Sequence, residues 1–400
     1  MRVLFLTPAA GFGGAERALV QSLKAVRQCE PTWTLGLLAL EDGPALDAAR
    51  SLGVDVMVSP PPGRFLETGE SGRGRGGTLG GLLAAAPALA RYAATLGRRI
   101  AAWRPMIVHS NGIKTHVLGA WVRGGAPLVW HVHDYLSLRN LSPRILRLHR
   151  RSAALVIANS RSVAEDANRV FGGTDVATVY NAIDFDRFQD TGPCLDLDAA
   201  SDMPSSARSV VRVGLVATYA RWKGHEVFLQ ALSALPPDVP VRGYVVGGPV
   251  YRSGPSQWTR GELDALAAAG GLDRRVGFTG FVDEPGAAYR SLDIVVHAST
   301  APEPFGLSIA EAMACGRATI ISDAGGTREI GQPETTCLAH APGDAAGLGR
   351  QIERLARDAS LRARLGAAAA ISVRARFTDA QHVATLRAAY GALVAGHARS

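Results

Sequence analysis

Two carboxylates stand eight positions apart in the stretch PEPFGLSIAEAMACG, residues 302–316. Glu303 lies between two prolines, and Glu311 lies where an apolar helical pattern begins. Pro302 and Pro304 restrict the backbone around Glu303, which suits an acid that must be placed without further ordering. A carboxylate accepts two hydrogen bonds at once and so matches the vicinal hydroxyls of a sugar or a ribose. Two such acids could grip two diols of one extended ligand. Each also has an ordinary reading. Glu303 alone is a solvated turn residue, and Glu311 alone is the N3 position of a capping box opened by Ser308. Context favours the chemical reading. The strand-like IVVHAST runs straight into the stretch, a glycine-containing turn then opens the helix, and backbone N–H groups at such a turn suit an anion.

Histidines supply a second candidate. His131 and His133, in HVHDY, share one face of a strand because side chains alternate along it. H-x-H on a strand also occurs in metal-dependent hydrolases, but further His and Asp ligands from later strands are missing, so no metal site is expected. His131 reads as a hydrogen-bonded core residue. His133, with Asp134 beside it at the strand end, is better placed to face a ligand. The letters LDLD, residues 195–198, lie in a polar stretch away from any strand and are discounted as metal ligands.

The elements that must hold these residues follow an α/β rhythm. Apolar runs at 3–7, 34–40, 54–59, 106–110, 128–133, 155–160 and 176–180 read as strands, with helices expected near 14–27, 79–103, 113–123, 141–152 and 161–171. Continuous apolar strands alternating with helices imply a parallel sheet covered on both faces. Residues 186–209 are polar and turn-rich and read as a linker; the rhythm then restarts with strands at 210–218, 242–248, 276–281, 293–299 and 318–323. The expected organisation is an N-terminal α/β domain over 1–185, the linker 186–209, a second α/β domain over 210–375, and a last helix within 376–400 packing back on the first domain. Two doubly wound domains in series would face a cleft lined by the carboxyl ends of their strands. Residues 60–81, rich in Gly, Pro and Arg, are expected to form a mobile loop.

Composition narrows the class. The chain has 400 residues, enough for two cores. Its hydrophobic content of 47% marks a globular protein, and no apolar run approaches the roughly 18–20 residues of a membrane span. Four scattered cysteines without a C-x-x-C fit a reducing cytoplasm. The net charge of +8 suits an anionic partner.

The stretch EPFGLSIAEAMACGRATIISDAGGTREI resembles the donor-site signature of retaining glycosyltransferases of the GT-B fold, the large family 4 group. The likeness runs over most of the chain, through GFGGAER, HVHDY, VYNAIDFDRF and RWKGHEVFLQAL in that order. It implies a fold of two Rossmann-like domains. It further implies that Glu303 contacts donor-sugar hydroxyls near the reacting carbon, and that backbone amides of Phe305, Gly306 and Leu307 meet the sugar and phosphates. Glu311 matches the acid on the ribose, and Lys223 the lysine on the diphosphate. Gly13 and Gly14 match a glycine loop near the phosphates, and His133 a histidine of the reacting face. Phe281 and Val282, in TGFV, flank the base. Two positions depart from the pattern. Thr218 stands where an arginine is common, so Arg221 is expected to supply the second cation, and Ala318 replaces a proline.

These residue types suit the implied reaction. A nucleoside diphosphate is a good leaving group, so its site needs positive charge more than a proton donor. Lys223, Arg221, the glycine-loop amides and a helix N-terminus supply that charge, and no metal or other cofactor is expected. The expected partners are a nucleotide-sugar donor, a sugar or lipid-linked acceptor, and an anionic membrane face met by the basic helix 141–152. In that helix Leu141, Ile145 and Leu148 are expected on the packed side and Arg144, Arg147 and Arg151 on the other. The expected location is the cytoplasm, peripherally at the membrane. Two other classes compete. A glycoside hydrolase would use the carboxylate pair but leave Lys223 and the glycine loops idle. A nucleic-acid binder fits the charge, but dispersed arginines and 6% aromatic residues make a poor stacking surface.

Overall fold

The computed structural model describes residues 1–11, 13–62, 79–139, 142–173, 175–207, 209–249 and 256–397. Most of the glycine-rich stretch 60–81 therefore lies outside the described residues. The chain divides into two compact units. The first comprises Met1–Ala182 with the last helix, and the second comprises Ile183–Thr378.

In the first unit the order is β1 (Arg2–Thr7), α1 (Gly14–Cys29), β2 (Thr34–Ala39), α2 (Pro44–Ser51), β3 (Asp55–Val58), α3 (Leu79–Trp103) and β4 (Ile107–Ser110). Then come α4 (Ile113–Val122), β5 (Leu128–Val132), α5 (Ser142–His149), β6 (Ala153–Ala158), α6 (Arg161–Phe171) and β7 (Ala177–Thr178). The seven strands form one parallel sheet in the order β3-β2-β1-β4-β5-β6-β7. Alternation along β1 explains why both faces are covered. Leu4 and Leu6 pack with Leu96 and Ile100 of α3 and Leu118 of α4, while Val3 and Phe5 pack with Leu19 and Leu23 of α1.

The second unit runs α7 (Leu197–Ala200), β8 (Val211–Val216), α8 (His225–Ser233), β9 (Val241–Val246), α9 (Arg260–Ala269), β10 (Val276–Gly280), α10 (Pro285–Ser291) and β11 (Ile294–Val296). It continues with α11 (Leu307–Ala314), β12 (Ala318–Ser322), α12 (Thr327–Ile330), β13 (Leu338–His340), α13 (Ala345–Arg357) and α14 (Ala359–Arg374). Its six parallel strands are ordered β10-β9-β8-β11-β12-β13. Both sheets reverse strand order beside their first strand, at β1/β4 and at β8/β11, which is the doubly wound Rossmann arrangement. The short β13 was not expected from the sequence; three residues carry too little periodicity to read.

The last helix, α15 (Asp379–His397), belongs to the first unit. Its Val383, Leu386 and Tyr390 join the core of β1, β2 and α1, Gln21 donates to Asp379 at 2.7 Å, and Arg387 pairs with Glu30 at 3.0 Å.

Residues 186–209 correct the linker expectation. Their described residues belong to the second unit, with α7 among them. Asp198, 3% exposed, accepts hydrogen bonds from Tyr244 Oη at 2.5 Å, Arg242 Nη1 at 2.7 Å, and the Ser206 amide and hydroxyl at 2.9 and 2.8 Å. Burial raises this carboxyl's pKa, but the bonds from Tyr244, Ser206 and Arg242 outweigh it and hold the group well below the usual carboxylate range. Sequence polarity marked the segment as solvated because its partners come from β9, more than forty residues further on.

The basic helix is shifted from its expected face. Leu146 is fully buried against the first unit's core, whereas Leu148 is 82% exposed; Arg144 and Arg147 are also exposed. Leu141 lies outside the described residues. The first turn begins at Ser142, so the packed face is one residue out of phase with the 141/145/148 reading.

Candidate active site

Lys223 and Glu303 meet at the reversal of strand order in the second sheet. β8 and β11 are neighbours there, with Leu215 opposite Val296. The chain leaves β8 into a 3₁₀ turn, Arg221–Lys223, and leaves β11 into the proline-flanked loop of Glu303. Gly224 makes the approach possible. It has φ +76°, and a Cβ there would lie 1.8 Å from the carbonyl oxygen of Ala298. The Trp222 carbonyl also accepts from the Thr300 amide at 2.8 Å. Lys223 Nζ thus donates to both Glu303 oxygens, at 2.9 and 2.7 Å, with the two side chains 18% and 12% exposed.

Glu303 is held on further sides. Its carbonyl accepts from the Gly326 amide at 2.7 Å. His297 Nε2 lies 3.2 Å from Oε2, and Ser299 Oγ lies 3.3 Å from the same oxygen. Burial pushes the carboxyl's pKa up, but the charge of Lys223 and the hydrogen bond from His297 outweigh it and hold it at about 2. The group is an anion at neutral pH. His297 and Ser299 are the residues that sequence reasoning missed. In VHAST they read as ordinary strand-end positions, and only their proximity to Glu303 singles them out.

The other positions of the second unit fall as follows. Gly306 is the N-cap of α11 in the left-handed region, φ +102°. The helix starts at Leu307, and its first N–H groups have no intrahelical acceptor. Ser308 therefore lies inside the helix, which rules out the capping-box reading of Glu311. Glu311 is instead 3% exposed and accepts from Tyr289 Oη at 3.1 Å. The Phe305 side chain packs edge-on against Phe377 in the core, so only its backbone remains for a ligand. Phe281 is 62% exposed, with its ring against the backbone of Gly248, where a Cβ would come within 2.8 Å. Val282 beside it is half-buried. Arg221 was expected as the second cation. Its guanidinium pairs with Glu262 at 2.6 Å and stacks 3.8 Å from the Trp258 ring centroid. It would have to give up that pair to serve as the second cation, and Thr218 brings none.

In the first unit, Gly13 is the N-cap of α1 and Gly14 its first residue, at the end of the connection that follows β1. His133 follows β5 and is half-buried; its Nε2 lies 2.6 Å from Asn111 Oδ1, at the end of β4. An amide oxygen only accepts, so Nε2 carries the proton and Nδ1 the lone pair. His131 is a core residue, its ring 3.9 Å from that of His133, with Nδ1 3.2 Å from His109 Nε2. His109 Nδ1 in turn meets Tyr390 Oη at 2.5 Å. Burial, followed by the charge of His382, pulls the His133 pKa down to about 4, so this imidazole is neutral near pH 7. No group of three or more His, Cys, Asp or Glu among the described residues is arranged to hold a metal ion.

The sequence profile described as Glycosyl transferases group 1 matches residues 208–358, and that described as Glycosyltransferase Family 4 matches residues 45–187. The chain belongs to the group 1, family 4 glycosyltransferases, and its fold is GT-B. It is 26% identical over 254 residues to the lipopolysaccharide core biosynthesis glycosyltransferase LpsE of Rhizobium meliloti (strain 1021), covering 63% of this chain and 68% of that one. It is 32% identical over 236 residues to the D-inositol 3-phosphate glycosyltransferase of Xylanimonas cellulosilytica, covering 52% of each. The matches thus span between about half and two thirds of these relatives. Among solved structures, Anabaena Alr3699/HepE in complex with UDP and glucose superposes with a TM-score of 0.77 at 26% identity, over 97% of this chain and 99% of that one. As in this glycosyltransferase family generally, the enzyme class is that of a transferase.

Proposed function

We propose that this glycosyltransferase moves a sugar, with retention of configuration, from a nucleoside diphosphate donor to a hydroxyl acceptor. The observation that carries the reading is the Lys223–Glu303 pair at the strand-order reversal of the second sheet. An ammonium and a two-oxygen carboxylate there match a diphosphate and the hydroxyls of the sugar attached to it. The first N–H groups of α11 add positive potential beside them, Glu311 serves the ribose, and the exposed Phe281 ring offers a face to the base. In this reading Lys223 and the amides stabilise charge on the departing oxygen, and no metal takes part. Gly13, Gly14 and His133 keep the roles that the family resemblance implies.

The UDP and glucose bound by Alr3699/HepE favour a UDP-sugar donor, and the lipopolysaccharide and inositol phosphate relatives favour a polysaccharide or glycolipid product. A thermal-shift series with UDP, GDP, ADP and their sugars tests the donor. A ligand at about 100 times its Kd adds about 2.7 kcal/mol to native stability, so one nucleotide series is expected to raise the melting temperature by several degrees. If none of the series shifts the transition, the donor-site reading fails. The anomeric configuration of the product, read by NMR, decides between retention and inversion.

No helix among the described residues is long and apolar enough to cross a membrane. The reading places the enzyme in the cytoplasm and docks the first unit peripherally on an anionic bilayer. A hollow lined by Arg147, Arg150, Arg151 and Arg169 lies beside the 82%-exposed Leu148. Trp121, 60% exposed, meets His149 edge-on, which continues the apolar rim. Basic residues around exposed Leu and Trp suit a lipid headgroup layer. Arg144→Gln with Arg151→Gln is expected to weaken binding to phosphatidylglycerol vesicles by about thirty-fold, at roughly 1 kcal/mol per arginine, and to leave phosphatidylcholine vesicles unaffected. Unchanged binding would end the membrane reading.

A further inference from the structure

We infer that His297 is the positioning residue that holds the Glu303 carboxylate for the donor sugar while Lys223 serves the diphosphate. The inference rests on the donor-site reading above and goes beyond it, since that reading gives His297 no part. Both Glu303 oxygens bond to one ammonium, at 2.9 and 2.7 Å. A diphosphate competes for that same ammonium, and every N–H it takes is one the carboxylate loses. Left without other partners, a buried carboxylate would protonate or swing away.

His297 and Ser299 prevent this. The Ser322 amide points at His297 Nδ1 from 3.4 Å, which makes Nδ1 the acceptor and leaves the ring proton on Nε2. That N–H is shared between Glu303 Oε2 at 3.2 Å and Ser299 Oγ at 3.0 Å, and the Ser299 hydroxyl is then free to donate to Glu303 at 3.3 Å. The frame behind them is rigid. His297 is 4% exposed and its carbonyl meets His340 Nε2 at 3.1 Å, while the Ser299 carbonyl accepts from Ser322 Oγ at 2.6 Å. These residues come from the ends of β11, β12 and β13, successive neighbours in the sheet. Their donors do not depend on Lys223, so they persist when the lysine turns to phosphate.

The test measures release of nucleoside diphosphate from UDP-glucose, GDP-mannose and ADP-glucose, using the full chain. His297→Ala is expected to lower kcat about ten- to hundred-fold, with the Kd of the bare nucleoside diphosphate within about two-fold of the parent. His297→Gln, whose side-chain amide donates over a similar reach, is expected to recover part of the loss. In a Glu303→Gln background His297→Ala should add little, because a residue acting through Glu303 has nothing left to position. The inference is overturned if His297→Ala keeps parental kcat, or if it costs as much in the Glu303→Gln background as in the parent; the second result would mark a purely structural histidine. If Glu303→Gln itself retains parental turnover, or if none of the three donors is cleaved, the donor-site reading has failed and takes this inference with it.

Discussion

Glu303→Gln and Lys223→Met are each expected to cut donor cleavage by about a hundred- to thousand-fold while leaving the second unit folded. The size follows from losing a preorganised charged group at a partly buried site, where it is not screened as in water. The two changes should differ in binding. Lys223→Met removes the cation and is expected to weaken the bare nucleoside diphosphate. Glu303→Gln leaves Lys223 in place and is expected to weaken only the sugar-bearing donor. The double variant should be little worse than either single one, since the groups are in direct contact at 2.7 Å. pH adds a check. Glu303 is held at about 2 chiefly against its own burial, by Lys223 and then His297. A carboxyl depressed in the folded chain contributes stability above its unfolded pKa of about 4.3 and loses it as pH falls toward 2. In Lys223→Met that contribution should shrink to what His297 supplies, and the acid limb of activity should move to higher pH. Parental turnover in either single variant, measured on folded protein, would remove the basis of the proposed site.

Gly224→Ala is the second large effect. A Cβ at this position would lie 1.8 Å from the Ala298 carbonyl oxygen, which is backbone and has no rotamer to escape through. The φ of +76° adds about 1–2 kcal/mol of its own for a residue with a Cβ. We expect at least about 3 kcal/mol of destabilisation, or a melting temperature lower by roughly 6–12 °C. Activity should fall further than stability explains. Ala298 sits between His297 and Ser299, so any shift that relieves the clash moves the groups holding Glu303. Gly261→Ala is the control, because a Cβ there, in the first turn of α9, meets nothing within 4 Å and should be neutral or slightly stabilising. A Gly224→Ala chain with parental melting and parental turnover would show that the close approach of Lys223 to β11 does not matter.

Some of this was readable before the structure. Strands buried on both faces stand out as apolar runs, so every strand but β13 was expected, most within two residues, as were the first unit's helices other than α2, with α3 at 79–103 and α6 at 161–171. The short α7 and β13 were not expected, and no helix ranges were read between the strands of the second unit. Helix phase also failed at α5, where Leu146 and Leu148 are both apolar and only packing against Leu136 and Tyr135 decides which one turns inward. Capping was misread at Ser308, since the glycine two positions earlier was already able to start the helix.

Sequence alone was enough for the class of fold and for the glutamate between two prolines, because these depend on local periodicity and local backbone restriction; the lysine before a glycine stood out only through the family resemblance. Strand order was a tertiary matter. Nothing local says that β8 and β11 are neighbours, yet this adjacency brings Lys223 within 2.7 Å of Glu303 across eighty positions of chain. The pairing of Arg221 with Glu262 and the burial of Asp198 were decided in the same way. Each depends on a hydrogen bond between segments far apart in the chain, and such bonds leave no period in the residues that make them.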